Sequence, residues 1–322
     1  MMRVETVDRV PDGAEEIASR SSRATFYQTP TWLDSLIKCF PRWDFKCLVA
    51  RSGREVVGYL PYFVIKRSII RTCCSLPFGT YGGVVSDGGE GANDALLTEF
   101  LGLRQKAGID QVVLVDYIGS AGDLALETTQ EMAHVIDLSA GFDSVWAHFE
   151  KSKRRQTRKG EREGIEVSAA TTSDEIAEYY EIYKRRIAQW NQRNSYPKSL
   201  FAELVSRGGE RVRLFVARAN GKMLGGHLNF YFKDTVIAWN GVTTLDRLSP
   251  QASTLLYSTC LRDACERNYK AYNLGGSLDK ESLIDYKQAL GGVPHSYTVY
   301  RWRSKRARIA AALRRSLRPS GE

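Results

Sequence analysis

Between Arg213 and Leu290 the apolar positions fall into a definite series of blocks. RLFVARANGKMLGGHLNFYF is apolar on both sides of Asn220-Gly221, a pair that accepts the positive φ angles of a tight hairpin turn. A second turn at Lys233-Asp234 leads into TVIAWNGV, whose β-branched and aromatic residues predict a third strand. A polar loop runs from Thr243 to Ser249, and Pro250 is suited to a first helical turn. The helix continues to about Arg267, with Leu255, Leu256, Thr259, Cys260 and Leu261 on its apolar side. AYNL (Ala271–Leu274) predicts a short strand. Gly-Gly-Ser and a helical SLIDYKQALGG follow.

The first half repeats this series. TPTWLDSLIKCF (Thr29–Phe40) predicts a helix with Trp32, Leu33, Leu36, Ile37 and Phe40 on one face. FKCLVARSGREVVGYLPYFVIK then predicts a hairpin turning at Ser52-Gly53. Val49–Phe63 matches Val216–Tyr231 at Val-Ala-Arg, at the turn glycine followed by a base and at Gly-x-Leu, if one residue is inserted. SLPFGTYGGVV (Ser75–Val85), a helix near Ala92–Lys106 and the strand QVVLVDY (Gln111–Tyr117) complete a first copy, closed by AHVIDL (Ala133–Leu138). The expected division is 1–141 for the first unit, 142–303 for the second with its basic opening helix, and 304–322 for a basic C-terminal helix.

Between the copies, Phe142, Val145, Trp146 and Phe149 have helical spacing, and KSKRRQTRKGEREG (Lys151–Gly164) extends the helix to a glycine stop. The second copy opens at Ser173-Asp174-Glu175, a good helix start. Tyr179, Tyr180, Tyr183, Ile187 and Trp190 form an aromatic stripe read as core.

Composition narrows the class. The 322 residues are 43% hydrophobic, with 16 Tyr and 6 Trp, which predicts well-cored globular units. No apolar run reaches the ~18 residues of a membrane span. The acidic, polar beginning, MMRVETVDRVPDGAEE, does not read as a signal peptide. The cysteines, Cys39, Cys47, Cys73, Cys74, Cys260 and Cys265, have no metal-like spacing, so reduced thiols and a cytoplasmic location are expected. The formal net charge of +9 favours an anionic partner: nucleic acid, a nucleotide-sugar, coenzyme A or an anionic membrane. Arg154, Arg155, Arg158, Lys159 and Arg162 crowd one short helix and would suit a phosphate backbone; a solvated face is the bland alternative. The C-terminal tail, with Ile309, Ala310, Ala311, Leu313 and Leu317 among arginines, is a basic amphipathic helix suited to tRNA, to the inner face of a membrane, or to packing on the first unit.

The order of three strands, helix, strand and helix resembles the GNAT acyltransferase fold. In tandem it resembles the FemAB/FemX family and the related BioF2-like or CelD-like acyltransferases. SLPFGTYGGVV is similar to the glycine-rich acceptor segment of the family's first unit. KSKRRQTRKGEREGIEV resembles its basic stretch ending in Gly-(Ile/Val), and YNLGGS with DYKQALGGVPHSYTVYRW resembles its C-terminal segment. The resemblance spans about Phe26 to Trp302. It implies an α/β fold of mixed sheets in two tandem GNAT-like units. It also implies an N-acyltransferase, most concretely one moving an aminoacyl group from tRNA to an amine on a peptidoglycan precursor or similar acceptor, with no tightly bound cofactor. An acyl-CoA donor serving envelope polysaccharide or lipid is the alternative, and a non-catalytic basic RNA- or membrane-binding scaffold is a rival of another class. One departure bears on the donor. The loop that would hold the coenzyme A pyrophosphate, TTLDRLSPQAST, has Arg247 but no glycine, and Pro250 removes a backbone donor.

The resemblance implies Lys287 at the reacting centre, as a fixed cation for an oxyanion; a surface lysine on a helix is the plain alternative. Trp239, Asn240 and Gly241 fall on the strand that meets the acyl donor in such folds, and Gly275 and Ser277 fall beside Lys287. Arg247 is a phosphate candidate. Tyr81 with Gly82 and Gly83 would let backbone approach an acceptor, and Asp87 would orient its amine. His227, on the central hairpin, is a candidate base, against a structural strand histidine. His134, His148 and His295 belong to no nucleophile or metal motif.

Overall fold

The computed structural model describes residues 2–87, 91–119, 121–122, 124–190, 195–277 and 280–316, with side chains to residue 313. The chain begins with β1 (Met2–Val7), α1 (Ala14–Arg20) and α2 (Pro30–Cys39). Then come β2 (Asp44–Ser52), β3 (Glu55–Arg67), β4 (Ile70–Cys74), β5 (Val85–Ser86), α3 (Ala92–Gly102) and β6 (Gln111–Asp116). After β7 (Glu127–Asp137) and the helices α4 (Phe142–His148) and α5 (Lys151–Arg162) come β8 (Glu166–Ala169), α6 (Ser173–Gln189), α7 (Lys198–Gly208), β9 (Val212–Ala219) and β10 (Lys222–Phe232). The last elements are β11 (Thr235–Thr243), α8 (Ser249–Glu266), β12 (Ala271–Gly276), α9 (Glu281–Gln288), β13 (Val293–Arg303) and α10 (Lys305–Ser316).

Two compact units result, Met1–Glu131 with Ser296–Glu322, and Met132–His295. This differs from the expected division at residue 141, and strand pairing is the reason. Residues of β7 pair with β12, Tyr272 opposite Ile136, so AHVIDL joins the second sheet rather than closing the first. In return β13 pairs with β6, Val299 opposite Val115, and α10 stays with the first unit.

The first sheet runs β1-β2-β3-β4-β6-β13, with β5 also on β3. The second runs β8-β9-β10-β11-β12-β7. Each is antiparallel except at one step, β4 with β6 and β11 with β12. Alternating strand residues and the apolar faces of α3 and α8 form the two cores. Leu96, Phe100, Val112 and Leu114 lie in one, and Leu256, Cys260, Leu261 and Tyr272 in the other. In α2, Trp32, Leu33 and Leu36 are fully buried as their spacing requires. Of the aromatic stripe on α6, Tyr179, Tyr183 and Ile187 are buried, but Trp190 is exposed and carries the Arg186 guanidinium over its ring.

The two hairpins match without any inserted residue. Ser52 faces Glu55 and Ala219 faces Lys222, so both have two-residue turns. Both carry a bulge at one place: Val57 is extra opposite Ala50-Arg51, and Leu224 is extra opposite Ala217-Arg218. Gly58 is therefore the counterpart of Gly225, and Leu60 that of His227. Among the described residues no helix is long and apolar enough to cross a membrane.

Candidate active site

In the second unit β11 and β12 run side by side only briefly, Thr235–Ile237 against Ala271–Asn273. β11 then stays with β10, while β12 turns to β7 and pairs Gly276 with Ala133. The parting strands leave a wedge. On the β11 side the ladder to β10 shifts, Leu228 facing Asn240 and Asn229 facing Ala238, so Trp239 is a bulged residue at the mouth of the wedge. On the β12 side Gly275 turns the chain at φ 72°, and its N–H donates to Asn273 Oδ1 at 2.7 Å.

Lys287 reaches this point from α9. It is 2% exposed, and its ammonium donates to the carbonyls of Gly275 at 2.8 Å and Gly276 at 2.7 Å. It is a buried cation held by backbone dipoles, not a surface lysine. Burial pushes its pKa down to about 8. The glycines that follow it have a steric cause. A Cβ on Gly292 would stand 2.8 Å from the Lys287 carbonyl and 3.2 Å from His134 Cβ. Asp285 is exposed. Tyr286 anchors α9 to α8: its hydroxyl bonds Ser253 Oγ at 2.9 Å, and the Lys153 ammonium of α5 lies 4.0 Å over its ring.

His227 stands on β10, on the other side of β11. It pairs with Gly241 across the ladder, and a Cβ on Gly241 would come within 2.3 Å of its Nε2. Tyr257 of α8 holds the ring from the other side, centroids 4.1 Å apart. Burial lowers its pKa to about 4, so the imidazole is neutral at ordinary pH and Nδ1 has no partner among the described residues. Asn240 accepts the Tyr179 hydroxyl on Oδ1 at 2.5 Å, which fixes its carboxamide. Trp239 is half-buried among Tyr196, Phe201 and Phe230.

One group here was not singled out from the sequence. His134 on β7 is 1% exposed, and neither ring nitrogen has a partner among the described residues; burial and the nearby Lys287 charge both lower its pKa. It neighbours Ala133, the residue that pairs with Gly276. Ser277 was expected beside Lys287, and its buried Oγ is likewise unpartnered. Buried polar groups without partners are rare, and among the described residues His134 and Ser277 are two such groups near the end of β12. The β7 pattern alone assigns His134 to no sheet, so no sequence signal leads to it.

The loop into α8 lacks the features of a phosphate cradle. Asp246 lies in it, accepting from Thr244 Oγ1 at 3.1 Å and Lys222 Nζ at 3.2 Å. Arg247 is exposed and stands 3.7 Å from the Glu163 carboxylate at the end of α5. The basic helix α5 lies on α8, with Gly160 against Gln251 and Thr254 Oγ1 donating to Gln156 Oε1 at 3.0 Å. Lys151, Arg154, Arg155, Arg158, Glu161 and Arg162 line an open groove of about 690 Å3. Arg154 also serves the fold: it donates to the carbonyls of Ala147 at 2.9 Å and Trp146, capping α4. Lys159 pairs with Glu163 at 3.6 Å.

Tyr81, Gly82, Gly83 and Asp87 lie in the first unit. Tyr81 is buried, stacked on Tyr117 at 4.0 Å with Tyr27 and Tyr297 at its edges. A Cβ on Gly82 would stand 2.1 Å from Ser75 Oγ, and Gly83 has φ 107°. Asp87 meets Arg20 at 3.5 Å. These contacts are those of a packed segment.

Residues 147–288 match the family described as Acetyltransferase (GNAT) domain. No curated protein matches the chain. Among solved structures it is similar to FemX, with a TM-score of 0.71 at 12% identity over 95% of this chain and 99% of that one. It is also similar to the C-terminal domain of a lysylphosphatidylglycerol synthetase from Agrobacterium fabrum (0.62, 14%, 95% and 98%). A third is a tandem GNAT protein from the clavulanic acid biosynthesis pathway (0.56, 13%, 94% and 98%).

Proposed function

Starting from a chain that is FemAB-like in fold, with tandem GNAT units and a GNAT acetyltransferase domain at residues 147–288, we propose that it is an N-acyltransferase working in the wedge of its second unit. The observation that carries this reading is Lys287, a buried cation at the point where β11 and β12 part. An acceptor amine attacks the activated carbonyl, the C–N bond forms, and negative charge gathers on the carbonyl oxygen. Lys287 faces that charge without needing to reorganise, because the Gly275 and Gly276 carbonyls hold it. The C–O or C–S bond then breaks, and the amine proton passes to the leaving atom. Neutral His227 and His134 are the candidate carriers of that proton.

The donor in this reading is an aminoacyl-tRNA. The α8 loop offers a carboxylate and no glycine where a coenzyme A pyrophosphate would need backbone N–H groups. The groove on α5 offers Arg155, Arg158 and Arg162 to a phosphate backbone. The acceptor is an amine on a peptidoglycan precursor or a similar anionic molecule. The family match supports a second reading, an acyl-CoA donor. A labelled-donor assay decides between them. Charged tRNA and acetyl-CoA are offered side by side with an amine acceptor, and amide formation is followed. Transfer from acetyl-CoA alone would overturn the tRNA reading. Transfer from neither, across a panel of amines, would overturn the enzyme reading.

A further inference from the structure

The basic C-terminal helix belongs to the first unit. Its first turn is fixed to the first unit. Ser304 donates its N–H to the Asp110 carbonyl at 2.9 Å, Ala307 is buried, and the Arg306 guanidinium donates to the Ile69 carbonyl at 2.6 Å. That docking uses one side of α10 and joins the helix to the β3–β4 turn. Ile309 and Leu313, one turn apart and turned away from the buried Ala307, are 63% and 58% exposed. Ile69, at the tip of the turn, is 57% exposed. These three are among the most exposed large aliphatic side chains of the described residues.

Their surroundings are cationic. Lys66, Arg67 and Arg71 flank Ile69, and Lys305, Arg306 and Arg308 precede Ile309; all six are exposed. The segment Lys305–Ser316 contains no acidic residue. Among the described residues the carboxylates of Asp110 and Glu127 meet this region. Asp110 is buried and takes the Arg71 N–H at 2.9 Å. Glu127 stands 3.6 Å from Arg308 and also pairs with Arg303. The outward field of the turn and helix is therefore positive. Leu317, part of the amphipathic pattern, lies outside the described residues.

We propose that this face docks on an anionic lipid bilayer. Aliphatic side chains standing among arginines and lysines gain free energy when they enter the acyl boundary while the cations stay at the headgroups. A nucleic acid would gain from the cations but not from isoleucine and leucine, since bases stack on aromatic rings. The surface would bring the chain to acceptors or donors held at a membrane, and it stands whichever donor the wedge uses.

The test is sedimentation of the full chain with vesicles of equal parts phosphatidylcholine and phosphatidylglycerol, and with phosphatidylcholine alone. The chain is expected to sediment with the anionic vesicles only, and less as salt is raised. Ile309→Glu with Leu313→Glu is expected to weaken vesicle binding about tenfold or more. Ile69→Glu, on a different element, should weaken it in the same direction. Circular dichroism checks that each variant is folded. Failure of the wild-type chain to bind anionic vesicles would overturn the proposal. Undiminished binding by both folded variants would overturn it too, because cations alone would then account for the attraction. An equal loss of tRNA binding in the same variants would make the face a nucleic-acid surface instead.

Discussion

The two units share a strand order and differ at the step where their parallel strands part. In the second unit the edge of β10 is followed by one strand, β11, with Trp239 bulged out of it. In the first, the same edge of β3 is followed by β4 and then by β5, and residues 75–84 lie between them. By ladder register Cys74 corresponds to Ile237 and Val85 to Val242, so 75–84 replaces 238–241. The longer segment fills the wedge. Ser75 donates its N–H to Val113 O and Gly82 to Val115 O, both at 2.9 Å, which extends the pairing onto β6. Val115 is the register counterpart of Gly275. One carbonyl position is thus met by a backbone N–H in the first unit and by the Lys287 ammonium in the second. A wedge filled by paired backbone contributes stability; one lined by a buried cation is where the proposed chemistry is to be tested.

The sharpest break of this comparison is Lys287→Met. It keeps the apolar stem and removes the charge. Turnover with the active donor is expected to fall by about two to three orders of magnitude. Two carbonyls lose their donor, which costs roughly 1–3 kcal/mol, but a desolvated charge is removed as well, so the fold should survive. Near-normal turnover in a folded variant would leave the open wedge without a catalytic role.

The donor side is tested next. Replacing Arg155, Arg158 and Arg162 by Ala should weaken tRNA binding by about tenfold or more, and each lost phosphate contact should lower the salt slope by about one. Arg154→Ala is a contrasting variant, because it also uncaps α4 and should lower the melting temperature. An unchanged slope in the triple variant would return α5 to a solvated face.

Two glycines compare the wedges directly. Gly241→Ala puts a methyl group into the His227 ring, which Tyr257 prevents from retreating, and turnover should fall roughly tenfold through misplacement. Gly82→Ala puts the same group against Ser75 in the filled wedge. It should cost about 1–3 kcal/mol of stability, measured by denaturant unfolding, with turnover of the folded fraction preserved. Ser75→Gly should restore most of that loss. A Gly82→Ala protein that is stable but inactive would mean that the first unit's wedge is functional too.

The repeat was legible because both hairpins keep Val-Ala-Arg before a two-residue turn. Its register was misread by one residue. Matching Gly-x-Leu by letters required an insertion, whereas the ladders place a bulge in both hairpins and need none. The exchange of β7 and β13 was not legible, since AHVIDL shows that a strand exists and not which sheet edge receives it. The segment GTYGGVV looked like a ligand loop because glycines allow close approach. At Gly82 the close approach is made by Ser75. Lys287 was placed by its motif, but its burial and its carbonyl partners are products of tertiary packing. His134 comes beside the end of β12 by the strand exchange, which the sequence pattern does not show.

The smallest effect concerns pH, and the open wedge predicts opposite signs for two observables. Burial holds the Lys287 pKa at about 8, against 10.5 for a free lysine. Between these values the unfolded chain keeps the proton that the folded chain has lost, so stability rises with pH. The expected gain from this group is about 1 kcal/mol between pH 8 and pH 9, read as a shift of the denaturant midpoint. Activity runs the other way. The oxyanion needs the ammonium, so the rate should lose about tenfold per pH unit once pH is above 8. His227, with a pKa of about 4, adds an acid limb only where its protonation sets in, well below neutrality. Lys287→Met should abolish the alkaline limb of the residual rate together with the stability gain. Loss of one without the other would show that the titrating group in the wedge is not this lysine.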